Sequence, residues 1–199
     1  MKRLAGICMA GIGLTIAVAT ARGEVKTGGG GTPLERDRVE GVSPCDWTAF
    51  YAAPAKDGLR LAYRCAGPID FNRGAAYCVY LDADGRRDTG FRGGEDNFPI
   101  GADYLLQGIT LYRYTGDDGP GRGVTWSWSA VGEVPFRVDG AYAEFTLSPA
   151  LLELHGATLH AFLIADNTAD GVGGSTNDEM PDGALRRGGG GKFIRIKLR

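Results

Sequence analysis

Histidine is scarce in this chain: His155 and His160 are the only two in 199 residues. A His-centred acid–base relay or a zinc site needs imidazoles gathered around one point, so neither is well provided for. There is no G-x-S-x-G elbow, no P-loop and no dinucleotide fingerprint. Basic excess is missing as well. With 22 Lys and Arg against 24 Asp and Glu the formal net charge is −2, which offers no stripe for a nucleic-acid backbone. Helical periodicity is almost absent, which disfavours a parallel α/β architecture built on several helices. Long apolar runs are confined to the start of the chain.

That start reads as an export signal. Lys2 and Arg3 precede the small and apolar run Leu4 to Ala19, and Ala19-Thr20-Ala21 has the small-x-small form of a cleavage site. The run is too short and Gly-rich to span a bilayer, for which about 20 apolar residues are wanted. Met1–Ala21 is therefore expected to be a cleaved signal peptide, and the mature chain secreted or periplasmic with no membrane span; an uncleaved anchor is the rival. Cleavage leaves 20 Lys and Arg against 24 Asp and Glu. Arg22–Glu40, with Gly28 to Gly31 and few apolar residues, is expected to be a flexible lead-in. Residues 41–199 then suit a single domain, long enough to bury a core.

Within that domain, short β-type runs alternate with Gly, Pro and Asp turns. Trp47 to Ala52, Leu59 to Cys65, Ala75 to Leu81, Tyr104 to Gln107, Ile109 to Tyr114 and Val124 to Ala130 come first. Pro135 to Val138, Ala141 to Leu147, Ala157 to Ala165 and Phe193 to Leu198 follow. Only Ser148 to Leu154 looks helical, with Ser148 as cap, Pro149 in the first turn and Gly156 as stop. The expectation is an all-β, antiparallel two-sheet sandwich with one short helix.

Cleavage also leaves three cysteines, Cys45, Cys65 and Cys78, enough for one internal bridge in an oxidising compartment. Cys65 and Cys78 flank one loop symmetrically, so a hairpin would bring them together. Strand parity opposes the pair, because Cys65 shares a face with Leu61 and Tyr63 while Cys78 falls opposite Val79 and Leu81. A bulge would reconcile the two arguments. The alternative is three buried, inert thiols.

The densest chemistry lies where the run ending at Leu81 meets Asp82, Asp84 and Asp88, and where Gly101-Ala102-Asp103 opens the next run. Carboxylates crowded at a strand end repel one another unless a positive charge sits among them. A hard, oxygen-seeking cation such as calcium fits, with Asp82, Asp84, Asp88 and Asp103 as ligands. The spacing is not that of an EF-hand, since Gly93 stands where the twelfth-position Glu belongs. The competing reading is a solvated turn in which Asp88 meets Arg86, Arg87 or Arg92. Asp166, Asn167, Asp170, Asn177, Asp178 and Asp182 form a second acidic patch, either Asx-turn chemistry or a second cation site.

Trp126 and Trp128 share one face of an alternating run, with Thr125, Ser127 and Ser129 on the other. Indoles on a flat sheet can stack on sugar rings, but the clean alternation argues that they point into the core. Tyr112 and Trp47 are further candidates for ligand stacking. Glu144 and Glu133 could serve as a glycosidase pair, yet Glu144 alternates with Tyr142 and Thr146 on an exposed face, so no catalytic centre is expected.

Val39 to Trp47 (VEGVSPCDW) is similar to the DG-x-x-x-DW opening of family 9 carbohydrate-binding modules. The run YLDADGRRDTGF, followed by IGADYLLQGITLYRYTG and WSWSAV, resembles secreted bacterial domains allied to that fold. The resemblance implies a jelly-roll-like β-sandwich, often with structural calcium, on an exported protein. Its sugar-binding members grip ligands between aromatic rings. The leading expectation is thus a non-catalytic binding module for a glycan, polysaccharide or other cell-surface polymer, stabilised by a loop-bound calcium. The alternative is a structural or assembly domain of the cell envelope that binds protein. A glycan-active hydrolase comes last.

Overall fold

Period-two alternation sorts the chain into two antiparallel sheets. The computed structural model describes residues 31–42, 45–117, 122–166 and 177–198, so the segment Met1–Ala21 lies outside the described residues. In chain order the strands are β1 Glu35–Arg36, β2 Trp47–Ala55, β3 Gly58–Cys65, β4 Tyr77–Asp82, β5 Tyr104–Gln107 and β6 Thr110–Tyr114. They continue as β7 Trp128–Glu133, β8 Phe136–Asp139, β9 Tyr142–Leu147, β10 Thr158–Ala165, β11 Asp178–Met180 and β12 Ile194–Lys197. One sheet has the order β1-β2-β3-β9-β8. The other runs β11-β10-β4-β5-β6-β7, with β12 also paired to β10. The expected all-β sandwich is the observed fold.

Strand β9 shows the logic of one-sided burial. Ala143, Phe145 and Leu147 are buried, while Tyr142, Glu144 and Thr146 between them are half-exposed. Strand β10 shows the two-sided case: it sits inside the seven-stranded sheet, and every residue from Ala161 to Ala165 is buried. Its odd-numbered side chains, such as Leu159 and Leu163, join Leu61, Phe145, Leu81 and Leu106 in the core between the sheets. Its even-numbered ones, Phe162 and Ile164, join a second core on the outer face, with Cys78, Tyr80, Phe91, Phe98 and Leu105. Each buried Leu or Phe contributes about 1.5–3 kcal/mol relative to exposure, so both cores stabilise the fold.

Three local expectations are corrected. The helix expected over Ser148–Leu154 is a single turn, in which Leu151 N and Leu152 N both donate to Ser148 O. Glu153 N is instead drawn to Tyr104 Oη and His155 N to Ala83 O, and one turn is too short to propagate. Among the described residues the helical segment is a 3-10 stretch over Phe71–Ala76, kinked at Arg73 and leading into β4. The Cys65–Cys78 pairing is not made, because parity prevails: Cys65 belongs to the core between the sheets and Cys78 to the outer one. Within the expected lead-in, of which residues 22–30 lie outside the described residues, Glu35 and Arg36 form β1 and pair with Phe50 and Ala49. Among the described residues, no helix is long and apolar enough to cross a membrane.

Candidate functional site

The register of three strands brings the acidic residues together. Leu81 of β4 faces Tyr104 of β5, and Asp103 N donates to Leu81 O at 2.9 Å, so Asp82 and Asp103 occupy adjoining strand ends. On the other side of β4, Asp82 faces His160 of β10. Parity places Asp82 with Cys78 and Tyr80, and Asp103 with Leu105, so both project on the outer face. Asp84 joins them from the turn that follows β4.

One oxygen from each of Asp82, Asp84 and Asp103 lies within 4.8 Å of the others. Calcium ligands sit about 2.3–2.6 Å from the ion, so oxygens at that mutual spacing can share one ion. Each carboxylate is also fixed by a donor. Gly85 N bonds Asp82 Oδ1 at 2.6 Å, Ala83 N bonds Asp103 Oδ2 at 2.7 Å, and Arg86 N bonds Asp84 Oδ1 at 2.8 Å. Thr89 Oγ1 donates to Asp84 as well. A carboxylate oxygen accepts more than one bond, so these donors orient the ligands without exhausting them.

Burial raises the Asp82 carboxyl to about 6 despite its bond from Gly85, and the neighbouring Asp84 pushes in the same direction. Asp103 is raised to about 6 by burial, with Asp84 and Asp82 adding repulsion. Such a cluster is destabilised by its own ionisation, the condition a cation relieves. His160 does not relieve it. Its Nδ1 stands 3.4 Å from Asp82 Oδ2, but burial and the nearby Arg195 hold its pKa below the ordinary value, which disfavours the charged ring. The donor set is therefore carboxylate oxygen at the centre with an imidazole at its edge, a group that could hold a metal ion.

Asp88 lies outside this group. It is exposed, and Arg86 Nη2 at 3.0 Å holds its carboxyl below the usual range. Of the four expected ligands, three converge and the fourth makes the surface pair of the competing reading. From the second acidic patch, Asn167 and Asp170 lie outside the described residues. Asp178 accepts a bond from Trp47 N at 2.6 Å and is raised to about 6 by burial.

The loop between β4 and β5 is built to hold this geometry. Phe91 and Ala102 exchange backbone bonds of 2.9 and 2.8 Å, folding the loop back on itself. Gly101 is obligatory there, since a Cβ would collide with Thr89 O. Arg87 braces the tip through Phe98 O and Asp96. The loop thereby lays Phe91, Phe98 and Ile100 over the outer face of the sheet.

An aromatic group borders that cover. Trp126 is 58% exposed, its ring 5.5 Å from Phe91 and 5.8 Å from Trp128. Trp128 is half-buried against the outer core, and so is Tyr112. The expectation that both indoles fill the core is thus corrected for Trp126. Strand β7 begins only at Trp128, so the alternation that argued for burial does not extend to residue 126. Trp47 is corrected in the opposite direction. It is wholly buried, edge-on to Tyr63 at 4.8 Å and to Tyr77 at 6.1 Å, and has no face for a ligand.

His160 was not anticipated beside the acids. Its place opposite Asp82 depends on which strand pairs with β4, a long-range choice that no local pattern encodes. Comparison of the chain with protein-family models, with curated proteins and with solved structures finds no match.

Proposed function

We propose that this chain is an exported, non-catalytic binding module that recognises a glycan or similar cell-surface polymer, with calcium held by Asp82, Asp84 and Asp103. The observation that carries the reading is Trp126: a large indole, more than half exposed, propped edge-on by Phe91 and Trp128. An exposed, pre-positioned aromatic ring loses little freedom on stacking against a sugar face, and buried ring area supplies the attraction. Phe91 follows the acidic turn in the same loop, so an ion bound by Asp82, Asp84 and Asp103 stiffens the support of Trp126. Binding of the polymer is accordingly calcium-dependent in this reading.

The test is a polysaccharide-binding panel with plant, algal and bacterial polymers, run with calcium and with chelator. Binding that is lost in Trp126→Ala and weakened by chelator supports the proposal. A flat response across all polymers ends it. A second reading, an envelope assembly domain that binds protein, rests on β8. That strand is the edge of the five-stranded sheet and exposes Phe136 at 49%. Edge strands with apolar side chains are templates for strand addition by a partner.

A further inference from the structure

Two sulfur atoms from separate strand ends meet inside the core between the sheets. Cys45 lies two residues before the start of β2, and Cys65 closes β3. Their Sγ atoms lie 3.2 Å apart, and both side chains are buried. Backbone pairing sets this approach. The β2–β3 ladder ends with Trp47 opposite Cys65, and a register shift between Trp47 and Ala49 turns the chain at that point. Just beyond, Ala66 N donates to Asp46 O at 2.8 Å, fastening the two segments at the residues next to the cysteines. Cys65 N donates in turn to Ala141 O at 2.9 Å, so that strand end is held from its other side too. A covalent S–S distance is about 2.05 Å, so the sulfurs need close by only about 1 Å.

We infer that Cys45 and Cys65 form an intramolecular disulfide when the chain meets a thiol–disulfide oxidant, and that Cys78 stays a thiol. The exchange proceeds in two displacements. The thiolate of one cysteine attacks the disulfide of the oxidant, forming a mixed disulfide and releasing one thiol of the oxidant. The second cysteine then attacks the protein sulfur of that mixed disulfide and releases the other. Two cysteine thiols are oxidised, one oxidant disulfide is reduced to two thiols, and the two protons leave with them.

Burial sets the timing. Within the folded chain, burial and the contact with Cys65 push the Cys45 thiol well up, so it is a poor nucleophile there. Exchange belongs to the open chain, and folding selects the pair by bringing these two sulfurs into contact. Cys78 is excluded by position. It lies in the outer core beside Gln107, on the opposite face of β4 from the residues that meet Cys65. The bridge would tie the entry of β2 to the end of β3, the same junction that carries the buried Asp46.

The experiment refolds the full chain in a buffer of oxidised and reduced glutathione, then alkylates it in denaturant and maps the peptides by mass spectrometry. The expected result is one linked peptide pair containing Cys45 and Cys65, lighter by two hydrogen atoms than the two thiol peptides, with Cys8 and Cys78 alkylated. The melting temperature should fall when reductant is added, remain reductant-sensitive in Cys78→Ser, and lose that sensitivity in Cys65→Ser. A Cys65–Cys78 link overturns the inference, and so does alkylation of both Cys45 and Cys65 after refolding. The mapping uses the unsubstituted chain, so the answer does not depend on whether a variant folds.

Discussion

Along the middle strands of the seven-stranded sheet, β10, β4 and β5, both faces are buried, but they are built for different purposes. The inner face meets the other sheet through Leu81, Leu106 and Leu163, which share one apolar core with Phe145 of β9. The outer face is covered by the loop between β4 and β5, which has carboxylates at its two ends and, against its Phe91, the exposed indole of Trp126 from the segment before β7. Both faces use apolar alternation to hold the sheet. Only the outer one combines it with charge and with an aromatic surface open to solvent. Stability and recognition are thus divided between the two sides of one set of strands, which makes the division testable by substitution.

The largest effect belongs to the core under the inner face, which Phe145 of β9 enters from the opposite sheet. Phe145→Ala leaves a cavity among Tyr63, Phe71 and their neighbours, and such truncations cost about 3–5 kcal/mol. Urea unfolding should show the midpoint falling by that free energy divided by the slope, with the slope unchanged. If Phe145→Ala were no costlier than a truncation of Trp126, the contrast drawn between the faces would be wrong.

Calcium comes next and acts only on the outer face. At a hundredfold excess over Kd, an ion bound to the folded state alone adds about 2.7 kcal/mol. The melting temperature should rise with millimolar calcium, stay flat in Asp82→Ala and still rise in Asp88→Ala. The last variant separates the converging acids from the surface pair, because Asp88 is engaged by Arg86. An unchanged melting temperature for the native chain would reject the ion.

A smaller and subtler effect is expected from pH with chelator present. Asp82 and Asp103 titrate near 6 in the folded state, against about 3.9 unfolded. Between these values the folded chain binds more protons than the unfolded one, so stability rises as pH falls from about 7 towards 4. Asp178, raised to about 6 as well, acts in the same direction, while His160, held below its ordinary value, opposes it. Asp103→Asn should flatten the slope without abolishing it, and saturating calcium should oppose it, because protons and the ion compete for the same oxygens. Thermal melts across this range check both; a melting temperature that falls on mild acidification of the metal-free chain would contradict the raised carboxyls.

Much of this contrast was written in local pattern, and the remainder in contacts that local pattern does not reach. Strands such as β3, β5 and β9 follow from period-two alternation bounded by turn residues, and Asp82, Asp84 and Asp103 follow from acids placed at strand ends. Strands β1 and β11 have two and three residues, too few for a period to register. The Trp47 N to Asp178 bond spans 131 residues, and the Cys45–Cys65 contact depends on a register shift that no composition announces. The indoles show why a correct pattern can mislead. Trp126 and Trp128 alternate as strand residues do, but the strand starts at the second of them.

That same indole gives the smallest expected effect on stability and the sharpest on recognition. Trp126 packs edge-on against Phe91 and Trp128, and aromatic pairs of this kind are worth about 0.5–1.5 kcal/mol. With more than half of its surface already in water, Trp126→Ala should lower stability by no more than about 1 kcal/mol. Polymer binding should nevertheless disappear, because the lost ring is the stacking surface itself, while Trp126→Phe should retain a part of it. Affinity electrophoresis on immobilised polysaccharide measures retention, and a urea titration of the same samples measures folding. Unaltered retention in Trp126→Ala would move recognition away from this ring, and the exposed edge of β8 would then be the surface to truncate.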